Sequence, residues 1–491
     1  MSSITASWRC RALRTSWRSD LRCSKPATSG SAPSTTSSVG DSMRYLHARS
    51  LVLLVAFCLL AAACGGSDGT GDDAPTTTAS GGAATDTGTA TDATTGDGTG
   101  GAAAGGDDAP GDGAPIDRTG EVIRVGYVNN EGGNISLPEL RIGGEVAIGV
   151  INDAGGIHGA RIEPIVCLSD GTPESAINCA IKLIEEDVVM AYMGVELGSE
   201  AAIKLWLDAD IPYVSSHSWG PTERNSPGTF LLHVATGAFA VGPAKTFSEL
   251  GIDHVAVVVQ DSSTALDFVD NITAPVLEHF GIEMERVVVD IAAPDWTAAI
   301  AAAQSAGVEG MMSQLDEFGC IGMVGSAAAS GFDKPIFAGS CTLYINVLGD
   351  AAVGTYTQGD QWTPWVAEFA PPEIQERLAE YADHMTAAGH EQLIEGFGIA
   401  PYGAWREIKF ILETIEGPIT SESITDAFAN AGETPGWFGP NLRCGQAPWP
   451  PESSHCMSHI MVWQVVEADD GSLRRIVVGD GLFDAYELSG L

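Results

Sequence analysis

Basic residues are scarce in this sequence. Its 491 residues include 24 Lys and Arg against 64 Asp and Glu, which gives a formal net charge of −40 at pH 7. Affinity for nucleic acid comes mostly from cations that neutralise phosphates, so this balance argues against a nucleic-acid partner. The same charge favours a soluble body whose copies repel one another, and we therefore expect a monomer.

Long apolar runs are also lacking. The run from Leu51 to Ala63 has 13 residues, whereas a helix that spans a bilayer needs about 20. This length suits the apolar part of a signal peptide, and Arg44 and Arg49 supply the basic segment before it. Residues 43–63 are therefore predicted to be a signal peptide that starts at Met43. Residues 1–42 are interpreted as an upstream extension assigned in error, with a genuine basic leader as the alternative.

The signal segment ends in small residues followed by Cys64, a pattern that resembles a bacterial lipobox. The motif prefers Leu where Ala61 stands, so ordinary signal-peptidase cleavage is the alternative to lipidation. We expect Cys64 to be acylated and to hold the protein at the outer face of the cell membrane. Residues Gly65–Pro115 contain only Gly, Ala, Thr, Asp, Ser and Pro. Such a segment cannot bury apolar area, so residues 64–118 are predicted to be a disordered tether with a reach of about 40 Å.

The cysteines after residue 64 lack any C-x-x-C spacing, which argues against a zinc site of the usual kind. In an oxidising compartment, the simplest of the 15 possible connectivities joins neighbours along the chain, each bridge contributing about 3 kcal/mol. The predicted disulfides are Cys167–Cys179, Cys320–Cys341 and Cys444–Cys456. The alternative is a metal site formed by Cys444, His455 and His459, and we expect no metal.

Motifs of common enzyme classes are missing as well. The sequence contains no G-x-x-x-x-G-K-[ST] and no H-E-x-x-H. The single G-x-S-x-G match, Gly65–Gly69, lies in the predicted tether, without the strand and helix that a nucleophile elbow requires. We therefore expect a protein that is not an enzyme and has no cofactor, with an exported enzyme as the less favoured alternative.

Short β-rich runs alternate with amphipathic helices from Glu121 onwards. Val122–Val128 is predicted to be a strand and Leu137–Gly156 a helix, and the same alternation restarts after Thr229–Thr236. Apolar strands alternating with helices indicate parallel, doubly wound sheets. The part from Ile116 has about 375 residues, more than one core usually supports, so two lobes are expected. The predicted fold is α/β, with two Rossmann-like doubly wound lobes.

The segment from Ile151 to Gly194 resembles the type I periplasmic solute-binding proteins of ABC transporters, in the branched-chain amino-acid class. The family pattern is an N-x-x-GG-I-x-G turn, a strand ending near Asp, a helix with A…A-x-K-L-I, and a strand ending in Gly. The matching positions are Asn152, Gly155, Gly156, Ile157, Gly159, Asp170, Ala176, Ala180, Lys182, Leu183, Ile184, Gly194 and Ser199. The Cys167/Cys179 pair resembles an actinobacterial lipoprotein branch of this class.

This resemblance implies two lobes joined by three crossovers, with a solute bound in the cleft between them. Lobe 1 is predicted to comprise residues 119–235 and 361–440, and lobe 2 residues 236–360 and 441–491. The resemblance implies that Gly198 and Ser199 bind a carboxylate, and that Ser218 and Trp219 occupy positions that bind an amino-acid head group. The predicted ligand contacts are Asn130, Gly198, Ser199, Ser216, Ser218, Trp219, Thr264 and Asp316.

The sequence departs from the family at two of these positions. Trp219 stands where Thr is usual, and Thr264 stands in place of a Tyr.

The function that the resemblance implies is capture of a small polar solute, an amino acid or a related amide or carboxylate compound. The solute would be delivered to an ABC permease in the membrane. The alternative within the same fold is a ligand-sensing receptor subunit.

Overall fold

The structure, a computed structural model, describes residues 116–491 apart from Asn134, Val195, Leu197, Ser218, Trp219 and Ile291. The predicted signal peptide, Cys64 and most of the tether lie outside the described residues. Within the described part, no helix combines the length and apolar character that crossing a membrane requires.

The first part of the chain builds a seven-stranded sheet in which neighbouring strands are parallel, except for one short antiparallel pair. Its strands are β1 (Val122–Gly132), β2 (Ile135–Ser136), β3 (Arg161–Ser169), β4 (Met190–Met193), β5 (Tyr213–Ser215) and β6 (Thr229–Val234). Its helices are α1 (Pro138–Asp153), α2 (Pro173–Glu185), α3 (Ser199–Asp208) and α4 (Pro221–Asn225). The seventh strand comes from the C-terminal part of the chain.

The turn between α1 and β3 shows why the N-x-x-GG-I-x-G pattern has these residues. The Asn152 amide donates to the Ile162 carbonyl at 2.9 Å, and its oxygen accepts the Ile162 N–H at 2.8 Å. Asn152 thereby fixes the start of β3 against the end of α1. Gly156 has a positive φ of 66°, and a Cβ there would lie 1.8 Å from the Ala160 carbonyl oxygen. Only glycine fits this close approach.

The second sheet also has seven strands, five of them parallel and two forming an antiparallel C-terminal hairpin. The parallel strands are β7 (His254–Gln260), β8 (Glu283–Val289), β9 (Gly310–Gln314), β10 (Ile336–Phe337) and β11 (Tyr356–Gly359). The helices between and around them are α5 (Ala238–Leu250), α6 (Ser263–Phe268), α7 (Ala274–His279), α8 (Trp296–Ala306), α9 (Glu317–Ala329) and α10 (Leu343–Leu348). One π-helical turn (Val269–Thr273) and one 3₁₀ turn (Gly349–Ala352) interrupt this region.

The remaining chain packs on the first sheet and then returns to the second. Its elements are 3₁₀ turns at Pro364–Phe369 and Glu391–Leu393, α11 (Pro372–Ala387), α12 (Ile399–Leu412), α13 (Ser421–Ala429), β12 (His455–Met457), β13 (His459–Glu467), β14 (Leu473–Asp484) and α14 (Tyr486–Ser489). β12 pairs with β6, and β13 pairs with β11. The predicted α/β fold with two doubly wound sheets is confirmed.

The chain crosses between the two sheets three times, as a three-crossover hinge requires. The first crossing follows β6, the second follows β11, and the third lies at Ser458 between β12 and β13. The predicted division at 440/441 places the third crossing too early. Residues 455–457 pair with the first sheet because β12 adds a parallel strand beside β6, a pairing that the short run H-C-M did not reveal.

The three predicted disulfides are present: Cys167–Cys179, Cys320–Cys341 and Cys444–Cys456. The first joins β3 to α2, and the third joins β12 to the segment that precedes it. Since Cys444 is bonded to Cys456, it cannot ligate a metal together with His455 and His459, and that alternative is wrong.

Apolar packing also crosses between the sheets, because one buried cluster contains Val125 of β1 and Val257 of β7.

Candidate functional site

In open α/β sheets, ligands gather beyond the carboxyl ends of the strands. Asn130 lies in β1, near that edge of the first sheet, and is fully buried. Its amide donates to the Gly132 carbonyl at 3.4 Å, and a Cβ on Gly171 would lie 2.6 Å from its amide oxygen. Asn130 is therefore packed between the end of β1 and the turn after β3.

Gly198 and Ser199 begin α3 at the same edge. The Gly198 N–H donates to the Glu196 carboxylate at 2.8 Å, so an internal carboxylate already occupies this position. Burial raises the pKa of Glu196, while its hydrogen bonds oppose that shift. Ser199 is buried, and its hydroxyl finds no hydrogen-bond partner among the described residues. Glu196 belongs to none of the motifs in the sequence and was not predicted as a site residue.

Ser216 follows β5 and is buried, with its hydroxyl 3.0 Å from the Tyr192 hydroxyl. Burial raises the pKa of Tyr192, so its hydroxyl stays protonated and available as a donor. Ser218 and Trp219, two residues of the predicted site, lie outside the described residues. His217, in the same loop, belongs to the cluster described below.

Thr264 and Asp316 lie on the second sheet's side. Thr264 is exposed on α6, and Asp316 is exposed at the start of α9, where its carboxylate accepts the Gly319 N–H at 2.7 Å. Asp316 also lines a concave site of about 220 Å³ beyond the ends of β7, β8 and β9, together with Gln260, Asp290 and Trp296. Among the described residues, the first-sheet candidates Asn130, Gly198, Ser199 and Ser216 do not line this site.

A smaller cavity lies between the two sheets and takes residues from both sides. The first-sheet side contributes Glu139 of α1 and residues 395–397, which precede α12. The second-sheet side contributes Thr342, Leu343 and Asn346 at α10, together with Arg475 of β14. Trp365, from the second crossover, completes the lining. None of these residues was predicted from the sequence.

Arg475 is the main polar feature of this cavity. Only 7% of the residue is exposed, and its Nε has no hydrogen-bond partner among the described residues. Its guanidinium carbon lies 3.6 Å from the centre of the Trp365 ring, a cation–π contact. Burial lowers the pKa of Arg475 to about 10, so the side chain remains a cation at neutral pH.

Carboxylates accompany this cation in the same cavity. Glu139 and Glu395 both line it, and burial raises the pKa of Glu139. Behind the lining, Glu317 accepts the N–H groups of Thr342 and Leu343 at 2.9 and 3.0 Å. The cavity thus presents one buried cation, two carboxylates, and the apolar faces of Trp365 and Phe397.

A second polar cluster lies where the first two crossovers meet. The Asp360 carboxylate, directly after β11, accepts a hydrogen bond from the His233 Nδ1 of β6 at 3.0 Å. Nε2 of His217 lies 3.5 Å from the same oxygen, and the two imidazole rings stack at 4.7 Å. Burial alone would raise the pKa of Asp360, but the two histidines outweigh it and hold the pKa well below its usual range.

The third crossover continues this network. Nδ1 of His455, on β12, lies 3.1 Å from the His233 carbonyl oxygen, and its Nε2 lies 3.2 Å from the Glu452 carboxylate. Arg224 reaches the same Glu452 side chain at 3.2 Å. Polar side chains therefore connect all three crossovers.

A family model described as periplasmic binding protein matches residues 122–457. An ABC transporter substrate-binding protein from Sphaerobacter thermophilus is 22% identical, with a TM-score of 0.62, over 76% of this chain and 100% of that chain. A leucine binding protein from Thermotoga maritima is 16% identical, with a TM-score of 0.60, over 74% and 99% of the two chains.

A third similar structure is a solute binding protein of an ABC transporter from Rhodopseudomonas palustris, solved with 3,4-dihydroxybenzoic acid. It is 19% identical, with a TM-score of 0.59, over 74% of this chain and 98% of that chain. Identities this low show a shared fold. Among curated proteins, no sequence matches this chain.

Proposed function

Because this chain belongs to the periplasmic binding protein family, whose model matches residues 122–457, we propose that it captures a small solute bearing a carboxylate. The solute is an amino acid or a related compound, held between the two sheets and delivered to an ABC permease. Members of the family are extracytoplasmic solute-binding proteins rather than enzymes. The similar structures from Thermotoga and Rhodopseudomonas are a leucine binding protein and a solute binding protein in complex with 3,4-dihydroxybenzoic acid.

The proposal that the solute has a carboxylate group rests on one observation: the buried Arg475 guanidinium in the cavity between the sheets. Burying a guanidinium costs free energy where its N–H groups are not hydrogen-bonded, and the Nε of Arg475 has no such partner among the described residues, so an anionic ligand beside it is favoured. A guanidinium binds a carboxylate through two parallel hydrogen bonds. Stacking on Trp365 holds the guanidinium plane in place.

The carboxylates in the cavity favour a solute that also has an ammonium group. Glu139 and Glu395 line the same cavity as Arg475, so it holds both signs of charge. An amino acid carries both groups a few ångströms apart, and Phe397 and Leu343 supply apolar surface for its side chain. The residues predicted from the family resemblance would contact the same solute once the two lobes have closed on it. They are Asn130, Gly198, Ser199, Ser216, Ser218, Trp219, Thr264 and Asp316.

Hinge closure is the proposed mechanism. A solute that contacts residues of both sheets favours the arrangement in which they approach each other, and so shifts the population towards a closed form. The permease would recognise that form. Cys64 would carry the lipid, and residues 64–118 would tether the binding region to the outer face of the membrane.

The test begins with native mass spectrometry of the purified full chain, which identifies any solute that the protein retains. A panel of amino acids and small carboxylates is then screened by thermal shift. We expect at least one carboxylate to raise the melting temperature of the wild type and not that of Arg475→Gln. Arg474→Gln is the matched control, because Arg474 is the exposed neighbour on the same strand. A response only to uncharged compounds would contradict the proposal.

Lipidation and the receptor alternative have separate tests. Intact-mass analysis should show an acylated N-terminal cysteine in the wild type, and Cys64→Ala should release the protein into the medium. Ordinary cleavage without added lipid mass would support the signal-peptidase alternative. Solute-dependent binding to an ABC permease supports transport, whereas solute-dependent binding to a signalling protein supports the receptor subunit.

A further inference from the structure

The cluster of His217, His233 and Asp360 is not needed for the solute site described above. It lies where the first two crossovers meet, and it brings together two imidazoles and one carboxylate from three separate segments of the chain. One potential ligand atom from each residue lies within 4.8 Å of the others. Two imidazoles and a carboxylate are also the donor set of many zinc sites that keep one coordination position open.

We propose that His217, His233 and Asp360 bind a divalent transition-metal ion. This inference goes beyond the solute-binding function and does not depend on it. Imidazole nitrogen suits zinc, copper and nickel, whereas calcium and magnesium prefer all-oxygen ligands. The two histidines therefore select for transition metals over the abundant alkaline-earth ions.

The distances fit this assignment with a modest adjustment. Zinc bonds to nitrogen and oxygen are about 2.0–2.2 Å long, so ligand atoms in a tetrahedral site are about 3.4 Å apart. His233 Nδ1 and His217 Nε2 lie 3.0 and 3.5 Å from the same Asp360 oxygen. The ligand atoms of the three residues lie within 4.8 Å of one another, so the two histidine nitrogens must approach each other further when an ion binds.

Burial and access also suit a bound ion. Asp360 is 5% exposed, and the Val234 N–H donates to the same carboxylate oxygen at 3.2 Å, which orients the carboxyl group. The His217 side chain is 33% exposed and provides an entry path. Three protein ligands leave a fourth position for water or for a donor atom of a small molecule.

Metal binding would act on the hinge. His233 belongs to the strand that enters the first crossover, Asp360 begins the second, and His217 follows β5. An ion bound to all three would fix these segments to one another, and a ligand that binds the folded state raises its stability. We therefore expect metal to raise the melting temperature as well as to bind.

The experiment uses the full chain, purified without a polyhistidine tag and stripped of metal with a chelator that is then removed. Zinc chloride is titrated by calorimetry, and cobalt chloride serves as a spectroscopic probe of the ligand set. We expect one zinc per chain with a dissociation constant in the micromolar range or below, and visible cobalt bands. His217→Ala should weaken binding at least tenfold, while His390→Ala, in the segment after α11, should leave it unchanged.

Two results would overturn the assignment: the absence of a one-to-one zinc isotherm, or binding to His217→Ala that equals binding to the wild type. Circular dichroism of each apo variant checks its folding. If His217→Ala does not fold, His217→Gln replaces it, because glutamine keeps polar atoms near Asp360 but offers no imidazole. Equal zinc affinity in that variant would likewise overturn the proposal.

Discussion

The Asp360 carboxylate accepts a 3.0 Å hydrogen bond from the His233 imidazole, and this contact joins the starts of the first two crossovers between the sheets. Both side chains are almost fully buried, and the Val234 N–H donates to the same carboxylate oxygen. Segments that change direction between two lobes are usually mobile, whereas here they are fixed by a buried polar contact. Rotation at the hinge must therefore occur around this contact or break it.

Asp360→Asn tests the contribution of this contact to stability. The variant loses the buried carboxylate that accepts hydrogen bonds from His233 and from the Val234 N–H. Hydrogen bonds to a charged group contribute roughly 1.5–3 kcal/mol, so we expect the free energy of unfolding to fall by about that amount. Urea denaturation at neutral pH in metal-free buffer measures the change. Asp333→Asn is the control, because that side chain is 84% exposed and should change stability by less than about 0.5 kcal/mol. Equal small effects at both positions would contradict a structural role for Asp360.

Close packing of α1 against α12 gives a second prediction. A Cβ on Gly143 would lie 2.0 Å from the Gly398 carbonyl oxygen, so Gly143→Ala must push the two helices apart. We expect a loss of roughly 1–3 kcal/mol despite the better helix propensity of alanine.

Gly149, two turns later in the same helix, is the matched control. A Cβ there meets no atom within 4 Å, and the residue is exposed. Gly149→Ala should therefore stabilise the protein by roughly 0.5–1 kcal/mol. Thermal denaturation of the two variants should show melting temperatures that move in opposite directions, and a shift of the same sign in both would contradict the packing argument.

Glu407 of α12 gives a prediction about pH. Burial raises the pKa of Glu407 to about 8, although its carboxyl group accepts the Trp437 N–H at 2.7 Å. The folded state then holds a proton that the unfolded state releases above its ordinary pKa of 4.5. Stability from this group is full below pH 4.5 and is lost as pH rises towards 8, by up to roughly 4 kcal/mol.

Glu407→Gln removes this titration and keeps an acceptor for the Trp437 N–H. Relative to the wild type, the variant should become progressively more stable between pH 5 and pH 8. Chemical denaturation at several pH values in that interval measures the difference in unfolding free energy. A difference that does not change with pH would show that Glu407 has an ordinary pKa in the folded protein.

The Cys444–Cys456 bridge gives a stability prediction near the third crossover. It closes a loop with a sequence separation of 12 and holds β12, the strand that pairs with β6. Replacing both cysteines with serine should cost about 3 kcal/mol in the chain-entropy model. Guanidinium denaturation without reductant measures the loss. With reductant present, the wild type and the variant should have similar stability, because the bridges are then open in both. A variant as stable as the oxidised wild type would show that the Cys444–Cys456 bridge contributes little.

Local patterns predicted much of the fold. The strand predicted at Val122–Val128 is confirmed as β1, which begins at the same residue and continues to Gly132, because a run of apolar residues marks a buried parallel strand. The disulfides were predictable because each pair is local along the chain. β12 was not, since three residues carry no periodic signal and the strand forms only beside β6.

The sites depend on contacts between distant parts of the chain, which sequence patterns do not encode. His233 and Asp360 are 127 residues apart and meet only because two crossovers pass side by side. In the sequence, Arg475 stands beside Arg474 in a strand, and charged side chains are mostly exposed. Its burial follows from Trp365 of the second crossover, which covers the guanidinium. Neither position belongs to a motif.

The most direct test of the account is a calorimetric titration of the retained or selected solute into wild type, Arg475→Gln and Arg474→Gln. A charge-assisted pair of hydrogen bonds between Arg475 and a carboxylate contributes roughly 2–3 kcal/mol, so its loss should weaken binding about 30- to 200-fold. Arg474→Gln should bind as the wild type does. An unchanged dissociation constant in Arg475→Gln would contradict the claim that the cavity between the two sheets holds the solute.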